Sequence, residues 1–524
     1  MKWTWAVAST LSSVALGRIW TGEQAVDWST GDGCTSIIVA KGATVSGGTM
    51  TTHTNDCLDC DFRYSKVPAA DHAEGSERPI HAYRAQYPRY LGSDRGFTYT
   101  PENTDMDIHA WEAGKGAFEP IGSIPQVTHT YAYIDGGYGI INEHQLSFGE
   151  STCGAVITAL PVHKGGKALV DVSELSRIAM ERCKTAQCAI KLMGSLAEQY
   201  GYYGADETEG EGGESLQVTD TEEAWVFHIL ADDTGTSAVW CAQRVPEGHV
   251  AAVANQFVIR VVDTDDTEGE SFLFSSNMVE VAKRAGLWDT DTDGPFDFTA
   301  AFAMSRAHLS PYATRRVWRI FTTVAPSSDL PGETNDFADD YPFSVAVDKK
   351  LRPGDIIDLN RDHYEGTAYD MTKGLAGGPY GDPARYDPGA TVGVYPPEEA
   401  ISETEAWSAY PVPFERAISI YRCSYSWVSE SRKNKFGVVW MSQYAPHAST
   451  SVPVYVLGDT IPPAFTSGSL FKFDLKVSQS AACVPRTDTC TPGICLRVVH
   501  SSFPSAPCMH RTSYTGSHRL FRRR

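Results

Sequence analysis

Gly33-Cys34-Thr35-Ser36-Ile37-Ile38-Val39-Ala40 is followed, past Gly42, by Gly47-Gly48-Thr49-Met50-Thr51-Thr52-His53-Thr54-Asn55-Asp56. The 36–40 run is short, apolar and rich in β-branched residues, which predicts a buried strand. The glycines then predict a turn and the threonine-rich run a second strand. A cysteine just before a strand is most often a small core hydrophobe. If processing made Cys34 the first residue, however, it would carry both a thiol and a free α-amine. With reference pKa values of about 8.5 and about 7.7–8.0, the amine can take the thiol proton near neutral pH without a histidine relay.

Working outward, similar strand-like runs occur at 225–230, 238–242, 253–262, 438–441 and 452–457. Helical spacing is clearest in Leu175, Ile178, Ala179 and Arg182, and again in Ala189, Leu192, Met193 and Leu196. Asp171 or Ser173 can cap the first helix and Thr185 the second. No repeat and no long Pro/Gly-rich linker interrupts 34–476. These features predict one layered α+β domain with mostly antiparallel sheets.

Of 524 residues, 42% are hydrophobic, which excludes a mainly disordered chain. Against 65 Asp and Glu stand 44 Lys and Arg, a net charge of −21 that disfavours nucleic acid as a partner. No internal stretch approaches the ~20 apolar residues of a spanning helix. Lys2, the apolar run 3–16 and the small residues of Ala15-Leu16-Gly17 read as a secretory signal over 1–17, the alternative being a buried terminal helix. The expected location is secreted or vacuolar/lysosomal. Of the 12 cysteines, Cys57 and Cys60 form a C-x-x-C that reads as a local disulfide or two plain thiols. Residues 477–524 turn Ser-, Pro- and Cys-rich and end Arg522-Arg523-Arg524. They read either as a basic appendage or as translation through an unspliced intron.

Asp289-Thr290-Asp291-Thr292-Asp293-Gly294 opens like a calcium loop, but Ala300 stands where the bidentate Glu belongs. No metal and no cofactor is expected. The G-x-S-x-G, H-E-x-x-H and G-x-x-x-x-G-K-[ST] signatures are all missing from the sequence.

Several ordered blocks resemble the N-terminal-nucleophile (Ntn) cysteine dipeptidases, which include the secernins and are similar to penicillin V acylase and bile-salt hydrolase. They are Cys34 to Val39, Gly47-Gly48-Thr49-Met50 and Asn142-Glu143-His144-Gln145-Leu146-Ser147-Phe148-Gly149-Glu150-Ser151-Thr152-Cys153, followed by Ala224-Trp225-Val226-Phe227-His228, Val253-Ala254-Asn255, Arg315-Arg316-Val317-Trp318-Arg319, Asn360 to Thr367 and Gln443-Tyr444-Ala445-Pro446-His447. The resemblance spans 34–476. It implies a four-layer αββα sandwich, removal of a propeptide over 18–33, and attack of the Cys34 thiolate on a peptide carbonyl through a thioester.

It also implies that Asp56 holds the α-amine, that Asn142 is an oxyanion donor and that Asn255 is a second asparagine near the site. Arg315 matches the arginine that contacts the nucleophile's surroundings, with Arg316 as its adjacent alternative. Many relatives carry Arg where His53 stands, so this chain departs from the pattern there. The implied partners are short peptides, foremost dipeptides. An amidase or acylase of the same chemistry, and a non-catalytic secernin-like regulator, are the rival readings. Whether the chain forms homo-oligomers stays open.

Overall fold

The computed structural model describes residues 18–19 and 33–468, apart from 58–59, 84, 88, 90–94, 96–118, 206–211, 267, 305–311, 336 and 384–414. The signal over 1–17, most of the 18–33 propeptide and the 477–524 tail lie outside the described residues. Two large antiparallel sheets organise the rest. The eight-stranded sheet runs in the order Phe272–Phe274, Ala238–Arg244, Ala224–Ala231, Gly213–Thr219, Ser147–Cys153, Gly139–Asn142, Tyr133–Asp135, Ser65–Val67. The seven-stranded sheet runs Val345–Ala346, His249–Val253, Gly33–Val39, Thr49–Asp56, Tyr425–Ser431, Val438–Gln443, Val452–Tyr455. The fold is α+β.

Alternation along the Gly33–Val39 strand decides what it faces. Ile37 and Val39 pack with Val317, Ile320 and Phe321 of the Thr314–Val324 helix, whereas Ile38 packs with Cys153 and Val226 of the other sheet. The two sheets therefore meet face to face, with Cys34, Ser36 and Ile38 on the shared side. Gly149 marks the closest approach, since a Cβ there would stand 2.3 Å from the Ser36 hydroxyl and 2.4 Å from the Thr52 carbonyl. The Val172–Arg182 and Ala186–Tyr200 helices cover the outer face of the eight-stranded sheet through Leu175, Ile178, Ala189 and Met193. Asp171 caps the first helix by accepting from the Ser173 and Glu174 amides, and Thr185 caps the second through the Cys188 amide.

One expected strand is different. Pairing stops at Val253, and Asn255 adopts φ 61°, which turns the chain out of the sheet. Phe257, Ile259 and Val262 are buried in the core without a ladder while Val261 is exposed, so the hydrophobicity of the run marked partial burial rather than a strand. In the calcium-like run, the Lys283 ammonium lies 3.1 Å from both Asp289 and Asp291. Cys57–Cys60 is a disulfide, and so is Cys183–Cys188, which ties the two helices together. Among the described residues no helix is long and apolar enough to cross a membrane.

His228 lies fully buried between Phe257 and Phe298, and its Nε2 accepts from the Val258 amide at 2.9 Å. Burial pushes its pKa down to about 3. Between its unfolded value, about 6.5, and that folded value, the unfolded chain binds a proton the native chain refuses. Stability is therefore lost as pH falls through this window. Urea unfolding of His228→Gln at pH 7, 5 and 4 should show a shallower loss of midpoint than the parent; an equal slope would remove His228 as a source of acid sensitivity.

Candidate active site

Cys34 is the second residue of its strand and is 2% exposed, with Gly33 opposite Asp56 and Cys34 opposite Asn55 in the ladder. Its main chain is held from two sides. The Ser151 hydroxyl donates to the Cys34 carbonyl at 3.4 Å, and Arg316 Nη1 donates to the same oxygen at 2.8 Å. Arg316 also reaches the Thr35 hydroxyl (2.9 Å), the Asn255 side-chain oxygen (2.8 Å), the Ala254 carbonyl (3.2 Å) and the Tyr312 carbonyl (3.1 Å). Burial, with Arg416 nearby, draws its pKa down to about 10, so it stays charged at neutral pH.

The assignment of this contact to Arg315 is corrected by the geometry. Arg315 turns the other way, to Glu415 at 3.0 Å and Glu333 at 2.9 Å, with its guanidinium 3.5 Å from the centre of the Tyr369 ring. Helical phase explains the difference. Arg316 shares an i, i+4, i+8 stripe with Ile320 and Val324, which face the sheet that holds Cys34, whereas Arg315 is in phase with Arg319, which pairs with Asp362.

Asn142 is fully engaged by its own neighbours. Its Nδ2 donates to the carbonyls of Met180 (2.9 Å) and Cys183 (2.8 Å), and its Oδ1 accepts from the amides of His144 and Leu146. Every hydrogen-bonding position is thereby spent on closing a helix end and a hairpin, which leaves no donor for an oxyanion. Asn255 does stand at the site. Its backbone N–H donates to Ser151 Oγ, its Nδ2 donates to the Thr152 carbonyl, and its Oδ1 would lie 3.3 Å from a Cβ on Gly33.

Asp56 accepts from Arg416 Nη2 at 2.7 Å and from the Thr54 hydroxyl at 3.3 Å, with both members of the ion pair fully buried. Burial opposes the charge on Arg416, but Asp56 and Tyr312 together more than offset it and raise the guanidinium's pKa. Arg416 comes from a stretch with no apolar period, so no sequence signal pointed to it. Gly33 is enclosed by the same groups. A Cβ there would meet the Tyr312 hydroxyl at 2.7 Å and Arg416 Nη2 at 3.0 Å, so only glycine fits without displacement.

On the inter-sheet side, His53 Nδ1 lies 2.9 Å from the Glu150 carbonyl oxygen and 3.3 Å from its carboxylate. Its ring is flanked by Tyr138 and Tyr425, each 5.7 Å between centres. Ligand atoms of Cys34, His53 and Glu150 all lie within 4.8 Å of one another. The Asn360–Thr367 run packs behind the sheet: Asn360 donates to the Thr52 hydroxyl and Tyr364 to the Arg416 carbonyl.

A thiol at the head of a central strand, with its carbonyl clamped by an arginine and a buried carboxylate in the next strand, is a site built around one cysteine. The sequence pattern described as Peptidase family C69 matches residues 33–474, and the chain belongs to that family of peptide-bond hydrolases. It is 25% identical over 342 residues to a probable dipeptidase of Salmonella dublin, covering 64% of this chain and 68% of that protein. It is 24% identical to a probable dipeptidase of Latilactobacillus sakei, over 64% of this chain and 62% of that protein. Over 444 residues it is 22% identical to probable dipeptidase A of Streptococcus pyogenes serotype M3, covering 83% and 78% of the two chains.

Two substitutions separate the roles. Arg316→Lys loses the fork that holds Cys34 and should lower kcat at least about tenfold, about 1.4 kcal/mol of barrier, while Arg315→Lys stays near the parent. Asn142→Ala strands buried partners and should cost about 1–3 kcal/mol of stability with kcat retained. A tenfold fall in kcat at unchanged melting temperature would restore Asn142 to the chemistry.

Proposed function

We propose that the mature protein is a cysteine dipeptidase on a four-layer αββα Ntn sandwich, with Cys34 as its first residue. The observation that carries this reading is the packing of the Gly33–Cys34 junction. Gly33 lies where a Cβ would crowd the Tyr312 hydroxyl, beside Asp56, Arg416 and Asn255. Removal of the residues before Cys34 would leave its α-amine next to Asp56, whose negative charge favours the ammonium form, and would vacate the space Gly33 fills. A guanidinium at the edge of that space suits the free carboxylate of a short peptide. The names of the relatives agree with a dipeptide substrate.

In this mechanism the amine accepts the thiol proton and the thiolate attacks the scissile carbonyl. The tetrahedral intermediate collapses to a thioester as the amine protonates the leaving nitrogen, and the amine then activates water for hydrolysis. Arg316 fixes the Cys34 backbone through each step. Asn255 borders the space that Gly33 fills and would steady the oxyanion, its amide exchanging the Thr152 carbonyl for it. The disulfides at Cys57–Cys60 and Cys183–Cys188 support an oxidising compartment, secreted or vacuolar/lysosomal.

N-terminal sequencing of the purified protein should read Cys34 first, and that sample should hydrolyse dipeptides in preference to N-acyl amides. Cys34→Ala should keep its preceding residues and lose activity to below about one thousandth of the parent. Full hydrolysis by a chain in which Cys34 remains internal would overturn the reading.

A further inference from the structure

We infer that the mature active site binds one zinc ion through Cys34, His53 and Glu150, and that this ion reversibly inhibits the enzyme. The inference rests on the proposed maturation at Cys34 and assigns a regulator to that same site. A thiolate, an imidazole and a carboxylate are the three ligand types that zinc takes. Here they converge from three strands of two sheets, with their ligand atoms within 4.8 Å of one another and all three residues buried. Tetrahedral zinc with bonds of about 2.0–2.3 Å needs ligands roughly 3.5 Å apart, so side-chain shifts of about 1 Å close the site.

Two polar atoms already there make no hydrogen bond, although Glu150 Oε2 faces His53 Nδ1 at 3.3 Å. His53 Nε2 is buried and has no hydrogen-bond partner among the described residues. Glu150 Oε2 is likewise buried without a hydrogen bond, while its Oε1 accepts from Thr152. Burying such atoms is costly unless something pairs with them.

Maturation supplies a fourth ligand. In an N-terminal cysteine the α-nitrogen and the sulfur sit on adjacent carbons, so both can bind one metal ion in a five-membered ring. Zinc then displaces to solvent the protons carried by the thiol and the ammonium, and binds the thiolate sulfur and the freed amine lone pair. Both groups that the peptidase mechanism needs are tied up at once, and a chelator returns them. A hard cation such as calcium gains little from sulfur and nitrogen donors and should not inhibit.

The test uses chain whose first residue is verified as Cys34 by intact mass and whose dipeptide hydrolysis is measured after chelator treatment. If either of those fails, the dipeptidase reading fails before zinc is added, and the zinc inference falls with it. Zinc chloride should abolish hydrolysis at one equivalent per chain, calcium chloride should have no effect, and EDTA should restore the rate. X-ray absorption at the zinc edge should show one sulfur neighbour with nitrogen and oxygen ligands completing the shell. Glu150→Gln should raise the zinc concentration for half inhibition by about tenfold or more. Zinc that leaves an active parent uninhibited, a zinc shell without sulfur, or an unchanged midpoint in an active Glu150→Gln would each overturn the inference. The edge measurement uses the parent chain and so does not depend on any variant folding.

Discussion

A buried guanidinium holds the centre of this molecule together. Among the described residues Arg316 has no carboxylate in direct contact; its charge is solvated instead by carbonyl oxygens of Cys34, Ala254 and Tyr312, the Thr35 hydroxyl and the Asn255 side chain. A buried cation is expensive unless every donor is satisfied, so these acceptors have little freedom. They belong to the nucleophile strand, to the turn after Val253 and to the start of the Thr314–Val324 helix. The position of the Cys34 backbone thus follows from electrostatics at a point where strand, turn and helix converge.

The same requirement explains Asn255. Its left-handed backbone points the side-chain oxygen at Arg316 and the amide groups at Ser151 and Thr152 of the opposite sheet. Asparagine tolerates that conformation better than other residues with a side chain. A turn that ends the strand early is therefore also the link between the two sheets beside the thiol. Behind it, Arg416 and Asp56 form a second buried pair. Its guanidinium helps to lower the pKa of Arg316, so the acidity of one arginine depends on the pairing of the other.

How much of this was legible before the fold was known depended on the kind of signal. The nucleophile strand, its threonine-rich partner and the two capped helices could be read from short-range patterns, because β-branched runs, glycine turns and N-caps act within a few residues. The 253–262 run misled because hydrophobicity reports burial, and a buried segment need not pair. Arg316 could have been separated from Arg315 by helical phase against Ile320 and Val324. Asn142 could not have been reassigned, since what occupies its amide is the end of a helix some forty residues downstream. Arg416 is beyond local reading for the same reason: it meets Asp56 across 360 positions.

The inter-sheet face sets the surroundings of Cys34 apart from the rest of the core. That layer mixes apolar residues, among them Ile38, Cys153 and Val226, with small hydroxyl residues such as Ser36, Ser147 and Ser429. At its end the pattern changes to Cys34, His53 and Glu150, walled by Tyr138 and Tyr425. Tyr138 is fixed in turn by the preceding loop, where Arg177 pairs with Asp135 at 2.8 Å and donates to the Gly137 carbonyl. Apolar residues in place of the polar three would pack a sheet interface at less desolvation cost. Their presence in a buried layer is therefore not accounted for by stability. It agrees with membership of a peptidase family, whose chemistry needs polar groups held together at one place.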